Sequence, residues 1–90
     1  MLIEISSLHL NVTETDLQRL FTPFGEIFSI EILRDRLNNR SRGKAIIEMP
    51  LEKQAQKAVT SLNGTMLLGR LIKVTITSSP DGNEQKRGLL

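Results

Sequence analysis

Apolar and polar residues alternate with a period of two in residues 44–49: Ala45, Ile47 and Met49 fall on one side, Lys44, Ile46 and Glu48 on the other. One side is wholly apolar and the other mixed, the pattern of a strand that lies on a core and leaves its second face open. The pattern predicts a strand over residues 42–49, with Gly43 read as a turn residue at its start. The same period opens the chain, with Ile3 and Ile5 inward and Leu2 and Glu4 outward. A further strand is predicted over residues 27–33. There, strict alternation puts Phe28, Ile30 and Ile32 inward, and an irregular start leaves Ile27 competing with Phe28 for the core. The last is predicted over residues 70–76, with Ile72, Val74 and Ile76 inward and Leu71, Lys73 and Thr75 outward.

Between these stretches the period changes. Leu17, Leu20, Phe21 and Phe24 form one stripe at helical spacing. Thr13 and Asp16 have the spacing of a capping box, and Val12 and Leu17 that of a hydrophobic staple. Pro23 should stop the regular helix near residue 22, and Gly25 ends it. A second helix is expected over residues 51–62, led by Pro50, with Ala55, Ala58, Val59 and Leu62 on its buried side. Asn63 and Gly64 close it, since both tolerate positive φ.

The resulting order is βαββαβ. It predicts an α+β, ferredoxin-like sandwich: a four-stranded antiparallel sheet with two helices on one face. The open face would carry Glu4, Glu31, Leu33, Lys44, Ile46, Glu48, Lys73 and Thr75. Residues 1–77 read as one domain. Residues 78–90 mix Ser, Pro, Gly, Asn and charges without a period and read as a flexible tail.

Composition narrows the chemistry. Ninety residues allow one modest core. The absence of cysteine excludes disulfides and thiolate metal sites, and a single His gives no ligand cluster, so neither metal nor cofactor is expected. His9, in the loop after the first strand, reads as incidental. No nucleophile–base pair or close carboxylate pair can be assembled, and no Gly-rich phosphate loop is present, so an enzyme is not expected. The opening Met-Leu-Ile-Glu-Ile has neither a basic stretch nor a long apolar run, which gives no leader or membrane span and a cytoplasmic placement. Charge is unevenly spread. Residues 34–44 hold Arg34, Arg36, Arg40, Arg42 and Lys44 against Asp35 alone, a net +4, whereas the whole chain carries +2 and the remainder therefore −2. Such a segment is an electrostatic footprint for phosphates.

These features meet in one family. Leu17-Gln-Arg-Leu-Phe-Thr-Pro-Phe-Gly25 resembles the first helix and Phe-Gly turn of the RNA recognition motif. Ser61-Leu-Asn-Gly64, followed by Gly69-Arg-Leu-Ile-Lys-Val74, is similar to its second helix end and last strand. Arg42-Gly43-x-Ala45-x-Ile47 keeps the basic and small frame of its octamer. The resemblance covers about residues 2–77 and implies the same fold and a partner that is single-stranded RNA or another single-stranded nucleic acid. It also marks a departure: Lys44 and Ile46 replace the octamer's two outward aromatics, and Glu4 replaces that of the first strand. Stacking is worth about 1–3 kcal/mol per base, so losing two of these platforms removes about 2–6 kcal/mol. Weak RNA binding, mainly through the basic loop, is the expectation. Its candidate contacts are Arg34, Arg36, Arg40, Arg42 and Lys44, with Glu4, Ile46 and Lys73 on the sheet. The competing expectation is a protein-interaction or self-association domain (homodimer included) that uses the aromatic-free sheet or the helical face, with Leu2, Leu33, Ile46 and Leu71 as apolar contacts.

Overall fold

The alternation at the start of the chain forms β1, Leu2–Ser6. The computed structural model of the protein describes residues 1–38 and 40–77, so the expected tail at 78–90 lies outside the described residues. Helix α1, Glu14–Phe21, begins with the capping box its sequence announces: the Thr13 hydroxyl accepts from the Asp16 amide, and the Asp16 carboxylate accepts from the Thr13 amide. Pro23 lacks an amide donor, and the chain tightens into a 3₁₀ turn over Thr22–Phe24. Strand β2, Ser29–Arg34, strand β3, Ser41–Glu48, and helix α2, Glu52–Leu62, follow.

The expected fourth strand is divided. Arg70–Leu71 (β5) pairs with Met66–Leu67 (β4) in a separate hairpin, and only Lys73–Thr77 (β6) joins the main sheet. A two-residue turn makes the division. Leu67 faces Arg70, and between them Leu68 (φ 52°) and Gly69 (φ 83°) both have positive φ, the type I′ pattern. Glycine adopts that conformation freely, whereas a leucine is strained by it. Leu68 is largely exposed and has little packing to lose. Leu68→Asn should therefore raise stability by about 1 kcal/mol, read as a higher denaturation midpoint. An unchanged or lower midpoint would show that the leucine side chain compensates its backbone.

The main sheet is antiparallel throughout, in the order β2-β3-β1-β6. Both helices cover one face, the ferredoxin-like arrangement. Ile3, Ile5, Ile32, Ala45, Ile47 and Val74 from the sheet meet Leu17 and Phe21 of α1 and Ala55, Ala58 and Leu62 of α2. Leu20, Ile30 and Val59 pack at the margin of that core. Leu8, expected in a plain loop, is buried in it as well. Its amide donates to the Gly43 carbonyl (3.0 Å), and Gly43 sits inside β3, at the irregular register between Ile32 and Arg34, with φ 76°. A Cβ there would lie 3.3 Å from the Leu8 carbonyl oxygen. Gly43 is thus a docking point for the β1–α1 loop, not a simple turn residue.

Three side chains depart from strict alternation. Phe28 is 73% exposed, and Ile27 packs against the core in its place. The ladder begins only at Ser29, so the parity that turns Ile30 and Ile32 inward does not reach back to Phe28. Ile76 is 42% exposed, since it stands near the end of an edge strand with a neighbour on one side only. Asn63 has an ordinary negative φ. Its side-chain oxygen accepts the Val74 amide (2.9 Å), and Gly64 alone supplies the positive φ after α2.

Candidate nucleic-acid interface

The ladder registers fix what the open face of the sheet presents. Its central row reads Glu31, Ile46, Glu4 and Thr75 across β2, β3, β1 and β6. The row beyond it, at the end where β2 begins, reads Ser29, Glu48, Leu2 and Thr77. At the opposite end, where the β1–α1 and β2–β3 loops emerge, lie Lys44 on β3 and the facing pair Ser6 and Lys73. Charge is therefore graded along the strands: carboxylates occupy the middle and far rows, and cations the loop end.

No aromatic ring stands on this face among the described residues. Phe21 is core, Phe24 packs against the core, and Phe28 is exposed ahead of β2. Ile46, expected as an apolar rest for a base, is only 6% exposed although it lies outside the core cluster. It is ringed by Glu4 and Glu31 across the ladders and by Lys44 and Glu48 along its own strand, and these long chains leave it little surface. Lys44 and Glu4 form the cross-strand ion pair that their spacing suggests, at 3.7 Å. Both are partly solvated, so the pair contributes under about 1 kcal/mol. Its larger effect is to offset the Glu4 charge. The apolar patch imagined for self-association shrinks accordingly: Leu2 and Leu33 are half-buried, Ile46 is covered, and only Leu71 is well exposed, on β5 outside the main sheet.

The β2–β3 loop is built by its own polar side chains. The Asp35 amide donates to the Arg40 carbonyl (2.8 Å), the Asp35 carboxylate accepts from the Leu37 amide (2.7 Å), and the Asn38 side chain accepts from the Arg40 amide (3.0 Å). The loop's one acid is thus engaged by backbone. Arg36, Arg40 and Arg42 are exposed and form no ion pair among the described residues. Arg34 is held differently, 3.6 Å from Glu14 at the start of α1. Lys73 is exposed at the loop end of β6 and forms no ion pair among the described residues.

Two grooves open at that end. One, of about 350 Å³, is lined by Leu10, Asn11, Arg34, Arg40 and Ser41. The other, of about 470 Å³, is lined by His9, Leu10, Asn11 and Arg70. The sequence reading picked out Arg34 and Arg40 but passed over Leu10, Asn11 and Arg70, which come together only through the fold. Among the described residues no three His, Asp or Glu side chains gather as a metal site would need, and no helix is long and apolar enough to cross a membrane.

The sequence profile described as RNA recognition motif matches residues 3–73. The serine/arginine-rich splicing factor SR45 of Arabidopsis thaliana is 34% identical over 80 residues, which cover 89% of this chain and 19% of that protein. The crystal structure of RNA binding protein PG1 superposes with a TM-score of 0.85 at 32% identity, covering 88% of this chain and 95% of that one. A structure of the Sxl-lethal protein/RNA complex superposes with a TM-score of 0.79 at 28% identity, covering 84% of this chain and 47% of that one. The chain spans 19–25% of the length of the first three curated relatives it matches.

Proposed function

The chain belongs to the RNA recognition motif family, and from that premise we propose that residues 1–77 act as a module that holds single-stranded RNA, weakly and mainly through the β2–β3 loop. The observation that carries this reading is the separation of charge. Arg36, Arg40 and Arg42 are exposed at one end of the sheet and unpaired among the described residues, and the carboxylates Glu31 and Glu48 lie away from them. A polyanion is drawn to the first region and repelled by the second. The names of the relatives and neighbours point the same way: splicing factor SR45, RNA binding protein PG1, and a Sxl-lethal protein in complex with RNA.

The affinity is low because the sheet offers no ring for a base. Losing two of the stacking platforms removes about 2–6 kcal/mol, or about 30-fold to 10⁴-fold in affinity. Phosphate contacts remain. They fix where the strand lies and discriminate little between sequences. In this reading Glu4 and Lys44 neutralise one another at the sheet centre, and Lys73 extends the cationic edge onto β6.

The test is a titration of a fluorescein-labelled single-stranded RNA octamer at about 20 mM salt, where screening is weakest. Saturable binding is expected. Absence of binding under those conditions would overturn the proposal, and the basic loop would then be assigned to an acidic protein surface.

A further inference from the structure

The two loop-end grooves share Leu10 and Asn11. They are the two flanks of one crest, formed by His9, Leu10 and Asn11 in the β1–α1 loop. We propose that this crest seats one base of the RNA: the base rests against Leu10, with the adjoining phosphates toward Arg34 and Arg40 on one flank and Arg70 on the other. The inference rests on the RNA-binding reading above and adds to its phosphate contacts a base seat at the junction of three segments distant in sequence.

The crest is rigid. Leu8 and Val12, on either side of it, are buried in the core, and Leu8 is tied to Gly43 by its amide. The Val12 amide donates to the His9 carbonyl (3.0 Å), and the Asn11 amide donates to His9 Nδ1 (3.0 Å). A surface held this way loses little freedom when a ligand settles on it. The Asn11 bond also assigns the imidazole. With Nδ1 an acceptor, the neutral ring carries its proton on Nε2 and keeps one donor for a phosphate or base oxygen.

Leu10 is 58% exposed at the top of this pinned loop, an apolar side chain with cationic groups on both sides. Binding sites commonly combine an apolar contact with a few convergent polar groups, and each flank is of a size that accepts a base or a nucleoside. Asn11 lines both grooves and brings an amide with two donors and an acceptor. The middle of the sheet offers the opposite: Glu31 and Glu4 flank a covered Ile46. A strand that crosses the loop end avoids those carboxylates and meets all three cationic walls.

The experiment compares the whole chain with Leu10→Ser and Arg70→Gln, using the labelled RNA octamer at one fixed low salt concentration. Lys57→Gln serves as the control, since Lys57 is exposed on α2 away from the site. Leu10→Ser should weaken binding by about fivefold through loss of the apolar contact that the base covers. Arg70→Gln should weaken it by about threefold and lower the magnitude of the salt slope by about 0.7. Binding by the wild type with both variants within twofold of the Lys57→Gln control would overturn the crest and leave the RNA reading standing. No binding by the wild type would overturn both. An oligoglutamate peptide that competed as well as unlabelled RNA would also overturn it, because a crest that seats a base must tell RNA from bare negative charge.

Discussion

Replacing Ile47 by Ala lowers the unfolding free energy by about 2–5 kcal/mol, a large part of the 5–15 kcal/mol typical of a domain. Ile47 is fully buried on β3, an interior strand of the sheet, with Ile3 facing it across one ladder and Ile30 across the other. Truncation removes three carbons from a site walled by sheet neighbours on both sides and by helices above. The cavity cannot collapse readily, so the loss exceeds the simple transfer term. Ile46→Ala is the informative companion. Ile46 is also nearly inaccessible, and burial alone predicts a similar cost. Its cover, however, consists of charged side chains on an open face, which can rearrange and admit water. The expected loss is therefore the transfer term, about 2 kcal/mol at most. Chemical denaturation of the two variants under one condition gives the comparison. Equal losses would mean that the outer face behaves as a second core, and an unaffected Ile47→Ala would mean that the faces of β3 are reversed.

Those two isoleucines also mark how far the sequence can be read. A period of two says which side a residue lies on, and it placed Ile47 on the inner side and Ile46 on the outer side. It does not say what covers the outer side, which depends on Glu4 and Glu31 arriving from other strands. The signals that succeeded are local. The Thr13–Asp16 box closes within one helical turn, and Pro23 acts on its own amide position. The failures share a non-local cause. Leu8 is buried because Gly43, thirty-five positions away, binds its amide. Phe28 and Ile76 depend on where a ladder begins and on which strand is an edge. The split between β5 and β6 did have a local signal: Gly69 two residues after Leu67 marks a tight hairpin, which the continuous apolar run of residues 70–76 masks. The cations of residues 34–44 were legible as a run. Their partner at the crest, Arg70, was not, since no spacing links it to Leu10 and Asn11.

The RNA affinity falls by about 100- to 1,000-fold between 50 and 500 mM salt. Each phosphate contact with a single strand contributes about −0.7 to the slope of log K against log salt, and three or four cations engaged at once give about −2 to −3. The structure decides which cations to remove. Arg34 is paired with Glu14 and Lys44 with Glu4, so neutralising either one also strands a carboxylate. Arg42 lies within β3. Arg36 and Arg40 carry no such complication: both guanidinium groups are exposed and unpaired among the described residues, and the hydrogen bonds Arg40 makes to the loop involve only its backbone. Arg36→Gln with Arg40→Gln should flatten the slope by about 1–1.5 and change stability by no more than about 0.5 kcal/mol. The wild-type and variant curves should then lie furthest apart at low salt and converge at high salt, where screening already removes what the two arginines supply. All RNA sequences should weaken alike, because phosphate contacts position a strand without reading its bases. A double variant that folds normally and keeps the wild-type slope would place the phosphates away from the β2–β3 loop. One whose loss depends on sequence would mean that the two arginines touch bases.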